Sequence, residues 1–153
     1  MKWHTHRLIG ASTAIVFDAG IVAVALSYLG STLPDVVEGK PPQEGAFFFN
    51  SGMNRWKKSH RGSSHWLGWY VALAFAGAAY SPILAWIGIG AITHLVADAM
   101  TPMGVPLYPF SKKRMLSVNL FPTGGFREVI FSVALMSGMA YYITHFPNSF
   151  TIL

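Results

Sequence analysis

Four apolar runs divided by polar loops set the plan of the chain: residues 8–29, 66–80, 83–100 and 129–146. Runs of this length and polarity read as membrane helices. The second and third meet at Ser81 and Pro82, turn chemistry that predicts a tight helical hairpin. At 1.5 Å per residue the last three runs reach roughly 23 to 27 Å, enough to cross a locally thinned bilayer with snorkelling flanks. The fourth opens after Arg127 and Glu128, the latter an acid placed where a helix N-terminus favours negative charge.

The first run admits two readings. As one straight helix of roughly 33 Å it would put His6 and Asp35 on opposite membrane faces. A break at Phe17, Asp18, Ala19 and Gly20, with Asp18 as cap and Gly20 relaxing the turn, gives instead two half-helices that fold back. Charge favours the break, because it places all 11 Lys and Arg on one face, which the positive-inside rule makes cytoplasmic. The expected fold is therefore all-α: a small polytopic membrane bundle, an N-terminal re-entrant hairpin plus three further membrane helices, forming one domain over 1–153.

Composition agrees with a membrane protein. Hydrophobic residues make up 52% of the chain and charged residues 11%, with a mean hydropathy of +0.41. The net charge of +5 is scattered between apolar runs, which argues against nucleic-acid binding. Lys2 and Arg7 ahead of an apolar stretch have the look of a secretion signal, but Asp18 inside that stretch argues against cleavage. Cysteine is absent, so disulfides and thiolate metal sites are excluded. The loops read as polar connections: 30–64 holds Pro34, Pro41, Pro42 and the basic run Arg55, Lys57, Lys58, Arg61, and 101–126 holds Pro102, Pro106, Pro109, Pro122, Lys112, Lys113 and Arg114.

The candidate chemistry lies in residues 93–102, where His94 and Asp98 stand four apart on an otherwise apolar helix and so share a face. Buried polar groups in such a helix need a partner, and a cation is an economical one when other histidines converge. In the doubled-back topology four clusters fall on one side: His6 with Gly10; Leu33, Pro34, Asp35; His60 to His65; and His94 with Asp98. Imidazole with carboxylate suits zinc first and manganese or iron less selectively. Each residue also has a plainer reading. His6 can be interfacial, Pro34 and Asp35 a turn, His65 a helix-start residue behind Ser64, His60 a solvated loop residue, and His94 with Asp98 an interhelical polar pair. His145 falls on the far face as a structural residue, and His4 is too near the terminus to interpret.

These same blocks resemble the YdjM-like family, described as LexA-regulated, membrane-bound, metal-dependent hydrolases. The resemblance runs through Thr5, His6, Arg7 and Gly10; Gly30, Ser31, Thr32, Leu33, Pro34, Asp35; His60, Arg61, Gly62, Ser63, Ser64, His65; and His94 to Asp98 with Thr101, Pro102, Met103, Gly104, Val105, Pro106, Leu107. It implies a helical protein of the bacterial inner membrane with a metal-dependent hydrolase site. The family typically carries a second acid two residues beyond the first, where this chain has Val37, and a threonine where it has Ser64.

A metal held by some of His6, Asp35, His60, His65, His94 and Asp98 would activate water against an ester or phosphoester at the cytoplasmic face. Six candidates exceed the four ligands of a structural zinc, which points to two metals or to a division between ligands and a base. Asp98 is the preferred partner of His94, Asp35 a ligand or the base, and Arg61 a bidentate support for an anionic phosphate. The location favours amphiphilic substrates and membrane lipid as partners. The competing class is a non-catalytic membrane protein in which a metal or polar network locks the bundle. A transporter would need polar residues spread across the membrane depth, and apart from Asp18 there are few.

Overall fold

The computed structural model describes residues 1–39, 53, 60–120 and 122–146. The basic residues Arg55, Lys57 and Lys58 of the first loop, with Pro41 and Pro42, lie outside the described residues. Helix α1 (Trp3–Val16) ends at the expected break and α2 (Gly20–Gly30) returns along it. Gly20 supplies a positive φ of 76° there, as its lack of a Cβ allows. Asp18 also adopts a positive φ, 57°, and forms the turn itself; the residue capping α2 is Ala19, with no side-chain cap bond.

Beyond α2 a turn at Ser31 and Thr32 leads into α3 (Leu33–Glu38). Pro34 lies in the first turn of α3, where its missing N–H is not needed, so Pro34 and Asp35 open a helix, not the turn of their plainer reading. Helices α4 (Leu67–Tyr80) and α5 (Pro82–Ala99) form the expected hairpin about Ser81. The second loop is not wholly irregular. Strands β1 (Val105–Tyr108) and β2 (Ser111–Leu116) pair antiparallel, too short to leave an alternation signal in the sequence. Helix α6 (Phe126–His145) closes the described chain. Among the described residues three stretches are long and apolar enough to cross a membrane, Gly20–Glu38, Pro82–Ala99 and Phe126–His145, and α4 is a shorter apolar helix.

Close packing of small residues sets the bundle. Gly10 on α1, Ser27 on α2 and Gly90 on α5 form one layer, in which Ser27 Oγ donates to the Gly10 carbonyl at 2.8 Å. A Cβ added at Gly90 would collide with the Ser27 carbonyl, and one at Gly10 would lie 2.7 Å from the same oxygen. Backbones meeting this closely gain dispersion contacts that lipid cannot match. One turn further along each helix come His6, Ser31 and His94, so the small-residue layer delivers the next layer to a common point. The buried apolar cluster of Tyr70, Leu95 and Val105 lies beside it, between α4, α5 and β1.

Candidate metal centre

Four elements meet at this end of the bundle. Helix α1 brings His6, α3 brings Asp35, a short 3-10 turn (Ser63–His65) brings His65, and α5 brings His94 and Asp98. The result is two overlapping triads, His6 with His94 and Asp98, and Asp35 with His65 and His94, each with ligand atoms within 4.8 Å of one another.

The tautomer of His94 follows from its partner. Nδ1 lies 2.6 Å from the Ser31 carbonyl, which can only accept, so Nδ1 carries a proton and Nε2 is the ring nitrogen left to meet a ligand. That Nε2 is 3.6 Å from Asp35 Oδ1 and 3.5 Å from Asp98 Oδ2. His65 turns its Nε2 to the same oxygens, at 3.4 and 3.7 Å. His6 stacks on His94 with ring centres 3.8 Å apart and holds Nε2 3.3 Å from Asp98 Oδ1. His6 precedes the apolar run, and burial pushes its imidazole down to about 4, which keeps it neutral and able to share a lone pair.

The donor set fits a divalent cation. Nε2 of His65, Nε2 of His94 and Nδ1 of His6 are buried with no hydrogen-bond partner among the described residues. Buried polar atoms are rarely left this way. Two ligands bound about 2.0–2.1 Å from a tetrahedral ion lie roughly 3.3–3.4 Å apart, close to the observed nitrogen–oxygen separations. Because Ser31 holds Nδ1, both triads draw on the one remaining ring nitrogen of His94, and they cannot be filled together by two separate ions.

The surrounding bonds hold these groups in place. Arg61, at a positive φ of 53°, donates Nη2 to Asp98 Oδ1 at 2.7 Å and Nη1 to Thr101 Oγ1 at 2.8 Å. Asp98 Oδ1 is thus engaged, and Oδ2 faces His65 and His94. His60 lies outside both triads: its Nδ1 meets Glu38 Oε1 at 2.7 Å. Glu38 also accepts from the Arg61 backbone N–H at 3.0 Å, and its Oε2 lies 3.3 Å from His65 Nδ1. A carboxylate behind a ligating imidazole fixes its ring and raises its basicity.

Glu38, Ser31 and Thr101 were missed as site residues by sequence reading. Ser31 and Thr101 stood in the blocks that carry the family resemblance without a role of their own, and Glu38 left a spacing signal, three residues beyond Asp35 on one helical face. Val37, in the place of the family's second acid, is 63% exposed and lines a different cavity with Trp69, Tyr70 and Phe110. The triads open to a cavity of about 390 Å³ whose wall includes His6, Asp35, Glu38, His60, Arg61 and Asp98. His4 is exposed, and His145 stacks on Tyr141 at the other end of α6, 4.0 Å between ring centres.

Comparison with curated proteins and with solved structures returned no match. The family model described as YdjM inner membrane protein matches residues 1–150, nearly the whole chain. With its apolar helices and its buried histidine and aspartate groups, the protein belongs to the YdjM inner membrane protein family.

Proposed function

We propose that the protein is a metal-dependent hydrolase that binds one divalent cation, zinc by preference, and cleaves an ester or phosphoester of a membrane amphiphile at the cytoplasmic face. The observation that carries this reading is the pair of partnerless Nε2 atoms on His65 and His94, aimed at Asp35 and Asp98. A cation bound there supplies Lewis acidity and activates water for attack on the acyl or phosphoryl centre. The protein's own groups then divide the work. His65 and His94 would hold the ion through Nε2 and Asp98 through Oδ2, with Arg61 and Thr101 keeping Asp98 in place and Glu38 orienting His65. Asp35, the more exposed carboxylate at 19% of its side chain, takes the water proton as general base. Manganese or iron would bind the same nitrogen and oxygen donors less selectively.

Charge placement supports the cytoplasmic assignment. Lys2, Arg7, Arg61 and Arg127 belong to the end of the bundle that carries the triads, as the positive-inside rule asks. Exposed Trp3, Trp69 and Phe110 belong to the same end, where amphipathic rings suit the headgroup layer.

A structural ion is the competing reading, favoured by donors drawn from four separate elements. Elemental analysis of the purified protein, joined to hydrolysis assays on lipid in mixed micelles and on water-soluble phosphoesters, separates the two. One equivalent of metal, turnover of lipid, and loss of both in a still-folded Asp98→Ala protein support the hydrolase. Loss of the fold in Asp98→Ala, with no turnover by either protein, supports the structural ion. Turnover of soluble phosphoesters but no lipid overturns the amphiphile assignment, and two equivalents of metal overturn the single-ion reading.

A further inference from the structure

Among the described residues no acceptor satisfies the guanidinium of Arg7. It stands one turn from Trp3 on α1 and faces Tyr28 on α2, with its guanidinium carbon 5.5 Å from one ring centre and 5.4 Å from the other. Among the described residues it makes no hydrogen bond and no ion pair, and its Nε is buried. The described acids are engaged elsewhere or distant: Asp35, Glu38 and Asp98 at the triads, Glu128 on the start of α1, and Asp18 at the far turn.

Two aromatic rings satisfy the faces of a guanidinium but leave its in-plane N–H fork without acceptors. The ligand that matches a planar fork is a pair of oxygens on one anionic centre, and phosphate presents them. Trp3 and Tyr28 are 46% and 40% exposed, and neither Arg7 nor Tyr28 lines the triad cavity, so the fork lies at the bundle surface beside the Trp3 edge of that cavity. In an inner membrane protein that surface, at the end rich in basic residues, lies at headgroup depth. We infer that Arg7, between Trp3 and Tyr28, holds the phosphate group of a membrane phospholipid. This site is independent of hydrolysis and survives if the hydrolase proposal fails.

The test uses the full chain in detergent, with bound lipid counted by native mass spectrometry. The titrants are dioleoylphosphatidylglycerol and a neutral glycosyl diacylglycerol with the same acyl chains. The wild type should retain one phosphatidylglycerol on the order of tenfold more tightly than the glycolipid, and Arg7→Gln should abolish that preference. Arg7→Lys, which keeps the charge but not the fork, should recover only part of it. If Arg7→Gln does not fold, Tyr28→Leu, which removes one ring face, should still weaken retention several-fold. Equal affinity of wild type and Arg7→Gln for phosphatidylglycerol, or equal affinity of the wild type for both lipids, overturns the site. Inorganic phosphate is titrated separately: if it binds at Arg7 as tightly as the lipid does, the ligand is free phosphate and the lipid assignment falls.

Discussion

Helices α5 and α6 are both long and apolar enough to span a membrane, yet they join the protein by opposite means. The span of α5 is 39% buried, through small residues that let backbones touch: Gly90 against Ser27, and Gly88 against Ala74. The span of α6 is 11% buried, and its firmest tie to the rest is one carboxylate. Glu128, 2% exposed, accepts from the Lys2 N–H at 2.6 Å, the Thr5 hydroxyl at 2.7 Å and the Gly124 N–H at 2.6 Å. Lipid is as apolar as leucine, so apolar area alone does not bring helices together. Close backbone approach does so for α5, and buried hydrogen bonds do so for α6.

The comparison breaks most sharply at Gly90. In Gly90→Val the new side chain meets the Ser27 carbonyl, which is backbone and cannot step aside. Separating α2 from α5 draws the Ser31 carbonyl away from His94 Nδ1 and frees the ring that anchors both triads. The expected loss of stability is about 3 kcal/mol, seen in thermal unfolding, with bound metal lost in parallel. A variant with wild-type stability and metal content would show that the small-residue layer does not position the site.

Glu128→Ala tests the other attachment. It leaves three donors without their acceptor, at an expected cost of about 2–3 kcal/mol, but the small-residue layer of α1, α2 and α5 remains. Helix α6 should come loose while metal affinity changes less than about threefold, because the triads receive nothing from α6. The chain has no cysteine, so a single Ser132→Cys probe reports the release as faster thiol labelling. Metal loss as large as in Gly90→Val would mean that Glu128 also governs the placement of His6, one residue beyond Thr5.

These contrasts show what was legible in the sequence. The apolar runs, the break at residues 17–19 and the α4–α5 hairpin follow from polarity and turn chemistry, which act locally. Histidines and acids were visible because they are rare in apolar surroundings. Less visible was a shared interval: His6 and Gly10, Ser27 and Ser31, Gly90 and His94 each lie four residues apart, so three helices present matching layers. Glycine and serine look alike whether they face a backbone or lipid, which is why Ser31 was named within a motif block but not as the partner of His94. Glu128 was read as a first-turn acid, which it is, but its bonds to Lys2 and Thr5 depend on a partner more than a hundred residues away.

A smaller effect is expected one step behind the donors. Glu38→Gln keeps the size of the side chain and an acceptor for the Arg61 N–H, but removes the charge behind His65. Metal affinity should fall roughly 10- to 100-fold with the melting temperature of the metal-free protein nearly unchanged. Chelator competition measures the first quantity and thermal unfolding the second. Unchanged affinity would reduce Glu38 to a tie between α3 and the 60–65 segment.

The smallest effect belongs to the outer face of α6. Val133 and Met136 are 56% and 58% exposed, and lipid covers such side chains equally well in the attached and the detached helix. Val133→Ala and Met136→Ala should therefore each change stability by less than about 0.5 kcal/mol, whereas the single carboxylate of Glu128 matters several times more. Unfolding of both variants in the same detergent checks this directly. A loss above about 1 kcal/mol would mean that the face packs against protein, and the contrast between α5 and α6 would become one between contacts within a chain and contacts between chains.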